Sequence, residues 1–124
     1  MLLNAVEATP ENGKITIKTR SFYKSETEPY IQIEITDTGF GIPKEYLEDI
    51  FTPFFTTKNK GSGLGLSISN QIIQEHTGYI HVESQVNQGT SFFINLPLIQ
   101  NYPKRRKNDF EENQQSLSNY FEGQ

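Results

Sequence analysis

The sequence of 124 residues contains no cysteine, which excludes disulfide bonds and thiolate metal sites. No apolar run approaches the roughly 20 residues that a membrane-spanning helix needs, and the first residues, Met1 to Glu7, show no signal-peptide pattern. Excess positive charge is also absent, because the formal net charge is -4 at pH 7. That value argues against a general nucleic-acid binder. These absences predict a cytoplasmic segment without membrane contact, a prediction that leaves a membrane-anchored parent protein open.

Composition divides the chain into a domain over residues 1–99 and a polar tail over residues 100–124. A chain of 124 residues accommodates one domain with a modest core. After Pro97 the sequence is rich in Asn, Gln, Lys, Arg and Glu, and its basic run at residues 104–107 is balanced by acidic residues. This composition predicts a flexible tail. A weak docking helix through Phe110, Leu117 and Phe121 is the alternative.

Four segments alternate between apolar and polar residues, which is the pattern of half-buried β-strands. They cover residues 14–19, 30–36, 79–83 and 91–96. Residues 25–29 are predicted to be the loop between the first two strands, which should pair antiparallel. The turn sequence Asn87-Gln88-Gly89 predicts a hairpin between the last two strands.

Three segments are predicted to be helical: residues 1–8, 44–50 and 62–77. The last is the main helix, in which Leu64, Ile68 and Ile72 repeat at helical spacing and predict one buried side. Gly78 is expected to stop this helix. One-sided strands and one-sided helices together predict an α/β two-layer sandwich with its helices on a single face of the sheet.

The most informative stretch is residues 37–66, in which two glycine-rich turns flank an aromatic loop. The first turn reads Asp-Thr-Gly-Phe-Gly-Ile-Pro over residues 37–43, and the second reads Gly-Ser-Gly-Leu-Gly-Leu over residues 61–66. Between them stands Ile-Phe-Thr-Pro-Phe-Phe-Thr-Thr-Lys over residues 50–58. Glycine allows close backbone approach, and the second turn runs into a helix start, which suits phosphate. The stretch therefore predicts a nucleotide site.

In this order, the motifs resemble the ATP-binding catalytic domain of bacterial sensor histidine kinases, within the superfamily of gyrase, Hsp90, histidine kinases and MutL. The resemblance covers about residues 1–98. It implies a Bergerat-type α+β sandwich with a mixed, largely antiparallel sheet. It also implies that one strand and one helix of the domain, and the helical hairpin with the phosphoacceptor histidine, lie upstream, so that the domain is incomplete at its N-terminus.

The resemblance implies ATP and Mg²⁺ as cofactors and gives roles to particular residues. Asp37 would accept a hydrogen bond from the adenine amino group, which suits an acceptor-only carboxylate. Asn4 would coordinate Mg²⁺ through its amide oxygen, and Lys58 and Lys60 would meet the phosphates. The other candidate contacts to the nucleotide are Gly39, Gly41, Ile42, Gly61, Gly63, Leu64, Gly65, Leu66 and Thr90. Read without the resemblance, the same residues are also compatible with ordinary turns, solvated loop lysines and a strand threonine.

The implied function is transfer of the terminal phosphoryl group of ATP to a histidine on a separate dimerisation and phosphoacceptor domain, with a response regulator as an indirect partner. No catalytic residue is predicted within this chain. Neither His76 nor His81 lies in a phosphoacceptor-like sequence, and the polar or acidic positioning residue that the resemblance implies would fall before Met1. The alternatives are an ATPase or serine-kinase relative in the same superfamily, a nucleotide-binding regulatory module without catalysis, and an inactive gene fragment.

Overall fold

The computed structural model describes residues 1–56 and 63–98. In chain order the elements are α1 (Leu2–Ala8), β1 (Ile15–Ser25), β2 (Glu28–Asp37), the 3₁₀ helix η1 (Lys44–Tyr46), α2 (Gly65–Glu75), β3 (Tyr79–Gln85) and β4 (Gly89–Pro97). No helix in these two ranges is long and apolar enough to cross a membrane. The polar tail over residues 100–124 lies outside the described residues, so its flexibility stays a prediction.

The four strands form one open sheet in the order β1-β2-β4-β3. Every neighbouring pair in it is antiparallel. Helix α1 packs against β2, and α2 packs against β3. The two hairpins and the α/β class predicted from the sequence are therefore confirmed. Where a mixed, largely antiparallel sheet was expected, the described strands contain no parallel pair.

The first hairpin is longer than the sequence pattern predicted. β1 continues to Ser25, β2 begins at Glu28, and two residues, Glu26 and Thr27, connect them in place of the predicted loop over 25–29. Aromatic stacking stabilises the added length, because the ring of Phe22 stacks on that of Tyr30 with centroids 5.5 Å apart. Residues 20–29 lack the alternation of aliphatic and polar residues, so the sequence pattern placed the end of the first strand and the start of the second too far from the turn.

The helix-covered side of the sheet holds the apolar core. Ile35 of β2 stands opposite Phe92 of β4, and both side chains are buried. The ring of Phe51 meets Phe92 edge-on, with centroids 6.5 Å apart. Ala5 of α1 and Ile50 are buried as well. The core therefore joins the sheet centre to α1 and to the segment after η1.

The other side of the sheet carries a hydrogen-bonded ladder of polar side chains. Arg20 Nε donates to Gln32 Oε1 at 2.8 Å, and Gln32 Nε2 donates to Asn95 Oδ1 at 2.8 Å. Asn95 Nδ2 donates to the carbonyl oxygens of Phe93 at 3.2 Å and Tyr79 at 3.4 Å. Asn95 is only 2% exposed. The ladder thus links all four strands through buried polar groups that are satisfied.

Two helix predictions need correction at their ends. The helix predicted over 44–50 is only the 3₁₀ turn η1, because successive bonds reach back three residues, from Tyr46 N to Pro43 O and from Asp49 N to Tyr46 O, both 2.9 Å. The main helix is described over Gly65–Glu75 instead of 62–77. Its start at residue 62 falls outside the described residues.

The stop of α2 also differs from the prediction. The left-handed residue is Thr77, with φ 59°, while Gly78 N donates to Ile73 O at 2.9 Å and Thr77 N donates to Gln74 O at 2.9 Å. This is the Schellman arrangement with threonine in the usual glycine position. Gly78 serves a different purpose, because a Cβ there would collide with the carbonyl oxygen of Asn95.

Much of the apolar side of the helices is exposed. Leu3 and Val6 of α1 are 68% and 58% exposed, and Ile68 and Ile72 of α2 are 50% and 48% exposed. The prediction that Ile68 and Ile72 belong to a buried side is therefore wrong for the described residues. Helical spacing identifies residues that share a face, but it does not show what covers that face.

Candidate nucleotide-binding site

Asp37 ends β2 and is 5% exposed. Its Oδ1 accepts hydrogen bonds from the backbone amides of Gly39 at 2.9 Å and Thr90 at 3.3 Å. Both bonds go to the same oxygen, and no described residue donates to Oδ2. A carboxylate held by two backbone amides has a fixed orientation, and its second oxygen retains acceptor capacity for a donor on a ligand.

The first glycine turn is confined between α1 and the β3–β4 hairpin. A Cβ at Gly39 would collide with the carbonyl oxygen of Ala8, and one at Gly41 with that of Gln85. Phe40 N donates to the same Ala8 oxygen at 3.2 Å. Gly41 also has φ 72°, a backbone conformation that residues other than glycine rarely adopt. These two glycines are needed because backbone approaches them from both sides.

The β3–β4 hairpin closes over this turn from the other side. Asn87 N donates to Phe40 O at 2.7 Å. Ile42 N donates to Ser84 Oγ at 2.7 Å, and Ser84 Oγ lies 2.7 Å from Thr90 Oγ1. Asp37, Gly39, Gly41, Ile42 and Thr90, five of the predicted site residues, are therefore brought together at one end of the sheet.

Sequence reasoning did not single out Ser84. The signal lies in the strand register: the hairpin pairs Gln85 with Gly89 and so sets Ser84 opposite Thr90, whereas a turn over residues 87–89 would have set Ser84 opposite Phe92. A hydroxyl opposite a candidate site hydroxyl would have been a reason to examine it.

The second glycine turn forms the start of α2. Gly63 has φ 72°, and its carbonyl oxygen accepts a hydrogen bond from Phe54 N at 2.9 Å. Leu64 is the N-cap residue, and its side chain makes no capping hydrogen bond. The space around Gly65 is open, while Leu66 is half-buried. The candidate residues Lys58, Lys60 and Gly61 lie outside the described residues.

The aromatic loop between the two turns is anchored in part. Phe51 contacts Phe92 in the core, and Phe55 packs on Tyr46 with ring centroids 5.7 Å apart. Phe54 is 73% exposed and has φ 68°. Two of the three phenylalanines therefore support the fold, and the third faces solvent.

Asn4 is half-buried on α1, next to the buried Ala5. The described residues contain no group of three or more His, Cys, Asp or Glu side chains that could hold a metal ion. A single amide oxygen does not form a cage for a resident metal. It fits Mg²⁺ that arrives on nucleotide phosphates, because Mg²⁺ keeps several waters and needs few protein ligands.

The two histidines are exposed and lie away from Asp37. His76 Nδ1 is 2.8 Å from the carbonyl oxygen of Ile72 at the end of α2. His81 Nε2 is 3.2 Å from Glu83 Oε1 on β3. Their positions agree with the interpretation that both are structural or surface residues.

The profile of a known family covers nearly all of the described fold. The family described as histidine kinase-, DNA gyrase B-, and HSP90-like ATPase matches residues 1–100. This chain belongs to that family. The resemblance drawn from the motifs is confirmed, and the chain is of the ATP-binding catalytic type found in histidine kinases.

Curated relatives of this ATPase-family chain are much longer proteins. Sensor kinase CckA of Brucella abortus (strain 2308) is 45% identical over a region that makes up 80% of this chain and 12% of CckA. Sensor histidine kinase ZraS of Escherichia coli (strain K12) is 40% identical over 79% of this chain and 20% of ZraS. The chain therefore spans a fifth or less of the length of these relatives.

Solved structures confirm the fold. The nucleotide-free catalytic domain of histidine kinase ThkA superimposes with a TM-score of 0.65 at 43% identity, covering 77% of this chain and 60% of that one. The mycobacterial sensor histidine kinase MprB gives 0.65 at 32% identity, covering 77% of this chain and 64% of that one. The sandwich predicted from sequence is thus the architecture of histidine kinase catalytic domains.

Proposed function

We propose that this chain binds Mg-ATP beside Asp37 and is the part of a sensor histidine kinase that presents the terminal phosphoryl group to a histidine on a separate phosphoacceptor domain. Such transfer depends mainly on positioning and on stabilisation of charge. The chain's own contribution is to bind and orient the nucleotide, while the acceptor histidine comes from the other domain.

The geometry of Asp37 carries this proposal. Two backbone amides engage Oδ1, and Oδ2 keeps its acceptor capacity for a donor on a ligand. The exocyclic amine of adenine is such a donor, whereas guanine offers a carbonyl oxygen at the corresponding position. Gly39, Gly41, Ile42 and Thr90 surround this carboxylate and would form the base pocket.

The phosphates would lie at the start of α2. The turn through Gly63, Leu64, Gly65 and Leu66 leads into the positive end of an 11-residue helix, an arrangement that favours anions. Lys58, Lys60 and Gly61 would add charge and backbone amides. The amide oxygen of Asn4 would hold Mg²⁺, which neutralises phosphate charge when it is bound.

Two solved relatives support the proposed partners. Full-length ShkA, 26% identical to this chain, was crystallised in complex with AMPPNP. Histidine kinase ThkA, 39% identical, was crystallised in complex with the response regulator protein TrrA. By analogy we propose ATP as substrate, a phosphoacceptor histidine domain as direct partner and a response regulator as indirect partner.

The extent of the domain and its location follow from the same proposal. Residues 1–99 would be the nucleotide-binding unit, because β4 ends at Pro97, and residues 100–124 would be an appended tail. A cytoplasmic location is proposed because ATP is the substrate.

Isothermal titration of the full 124-residue chain with Mg-ATP and Mg-GTP tests the function. The wild-type chain should prefer ATP, and Asp37→Asn should weaken ATP binding by about 1–3 kcal/mol, the usual cost of losing a buried hydrogen-bond partner. Asp49→Asn is the matched control, because Asp49 is exposed and the chemical change is the same. Equal affinities for ATP and GTP in the wild type would contradict the proposal.

A further inference from the structure

Ser84 forms hydrogen bonds beside the proposed nucleotide site, although no role in that site has been assigned to it. It is half-buried on β3, and its hydroxyl has three partners. Ile42 N donates to Oγ at 2.7 Å, Oγ donates to the carbonyl oxygen of Gly89 at 3.0 Å, and Thr90 Oγ1 lies 2.7 Å away. A serine hydroxyl offers one donor and two acceptor positions, so these contacts use its full capacity.

The proton count fixes the direction of the bond between the two hydroxyls. The one arrangement that satisfies all three contacts places the single hydrogen of Ser84 on the Gly89 oxygen and makes Thr90 the donor in the Ser84–Thr90 bond. Thr90 then has no hydroxyl hydrogen left for any other partner, and only its oxygen lone pairs face outward. Through this bond, Ser84 leaves the hydroxyl oxygen of Thr90 able only to accept hydrogen bonds from other groups.

Thr90 stands beside the carboxylate that is proposed to recognise the base. Asp37 and Thr90 are register partners on β2 and β4, and Ser84 and Thr90 are partners on β3 and β4. The three side chains consequently form one row across the end of the sheet, on the same face. The bond from Ile42 N to Ser84 also ties the end of the first glycine turn to this row.

We propose that Ser84 is a positioning residue that determines base specificity in the nucleotide site. It holds the turn over residues 38–42 in place through Ile42, and it orients the hydroxyl of Thr90 so that the site offers acceptors only. An acceptor-only site matches the adenine amine and rejects the carbonyl oxygen of guanine. This inference rests on the proposed function, because it assumes that the base lies beside Asp37.

Replacement of Ser84 tests the proposal through nucleotide selectivity. In Ser84→Ala, Thr90 regains a free hydroxyl hydrogen and Ile42 N loses its partner. We expect ATP affinity to fall roughly tenfold and GTP affinity to change less than about twofold, so that the preference for ATP narrows. Ser84→Thr keeps a hydroxyl at this strand position, so its affinities for ATP and GTP should equal those of the wild type. The amide of Ile42 should exchange its hydrogen faster in Ser84→Ala only.

Ser91→Ala provides the matched control. Ser91 is also a half-buried strand serine, and its Oγ lies 2.8 Å from Thr36 Oγ1. It lies one residue along β4 from Thr90 and thus on the opposite face of the sheet. Its removal deletes the same group without touching the glycine turn, so ATP and GTP affinities should stay as in the wild type.

The outcomes separate this proposal from the function on which it rests. A wild-type chain that binds neither nucleotide overturns the proposed function and, with it, the specificity role of Ser84. A wild-type chain that prefers ATP, with an unchanged preference in Ser84→Ala, overturns the Ser84 proposal alone. Equal losses of ATP and GTP affinity in Ser84→Ala also overturn it, because they indicate a purely structural role.

Discussion

The two hairpins of the sheet have the same antiparallel topology, but only the β3–β4 turn contacts the end of the sheet that carries Asp37. The β3–β4 turn lies at the Asp37 end, where Asn87 N bonds to Phe40 O and Gly89 lies against the Asp37 carbonyl. The β1–β2 turn lies at the far end of β2, and Glu26 and Thr27 are both exposed. One hairpin is therefore a wall of the candidate site, and the other is scaffold.

The turn residues show this difference directly. Asn87 and Gly89 adopt positive φ, 65° and 124°, the left-handed conformations that tight hairpins require. Glu26 and Thr27 do not have this conformation. A turn that contacts another element has a fixed shape and demands particular residues, whereas a turn in solvent tolerates many.

The largest effect should come from changing the contacted hairpin at its closest approach. In Gly89→Ala, the new Cβ would collide with the Asp37 carbonyl oxygen, and φ 124° is strained for alanine. We expect the free energy of unfolding to fall by about 2–4 kcal/mol. Urea denaturation followed by circular dichroism measures this change.

Gly65→Ala is the control for that variant. Gly65 is the first residue of α2, and within the described ranges 1–56 and 63–98 no atom outside the helix's own backbone lies within 4 Å of a Cβ added there. Alanine favours helix over glycine by roughly 0.5–1 kcal/mol, so the free energy of unfolding should stay the same or rise. A loss as large as that of Gly89→Ala would show that close approach is not the cause.

A smaller effect should follow from changing the polar ladder that joins the two hairpins. Asn95→Leu leaves the amide of Gln32 without its acceptor in a buried position. We expect a loss of about 1–3 kcal/mol in the free energy of unfolding. Hydrogen exchange should accelerate at the β2–β4 junction, because that junction carries the ladder.

The double variant Gln32→Leu with Asn95→Leu sharpens this prediction. When both partners become apolar, no unsatisfied amide remains between them, and the combined loss should be less than the sum of the single losses. Strict additivity would contradict the view that the Gln32–Asn95 bond couples the hairpins.

The smallest effect should come from the free turn. Thr27→Ala changes an exposed residue beside an open depression of about 270 Å³ at the far end of the sheet. We expect a change within about 0.5 kcal/mol in the free energy of unfolding. Asn87→Ala is the matched change in the other turn, and its left-handed φ should make it cost about 1 kcal/mol or more. Equal effects in both turns would remove the contrast between the hairpins.

Much of the fold was predictable because aliphatic alternation is a local property. The alternating apolar residues around Ile35 and Phe92 predicted two strands, and the turn sequence at residues 87–89 predicted a hairpin. The position of Asp37 at a strand end followed from the same pattern. The family motifs then indicated a nucleotide site, and the contacts of Gly39 and Gly41 give the physical reason for those glycines.

The features that were not predicted depend on partners distant in sequence. Phe22 extends β1 because it stacks on Tyr30, and no periodicity shows this contact. Ser84 and Asn95 are ordinary strand residues until the register places other polar groups beside them. Likewise, the spacing of Ile68 and Ile72 identified a common face without showing that the face is exposed.

β1 forms one edge of the sheet within the described residues, and this position affects how copies of the chain meet. An edge strand of 11 residues offers unpaired backbone groups to a second copy. In an antiparallel pairing centred on Arg20, each guanidinium would face its own counterpart, and Lys18 and Lys24 add further positive charge to both strands. Like charges directly opposite each other are destabilising. Association through this edge should therefore be weakest in dilute buffer and increase with ionic strength, as salt screens the repulsion.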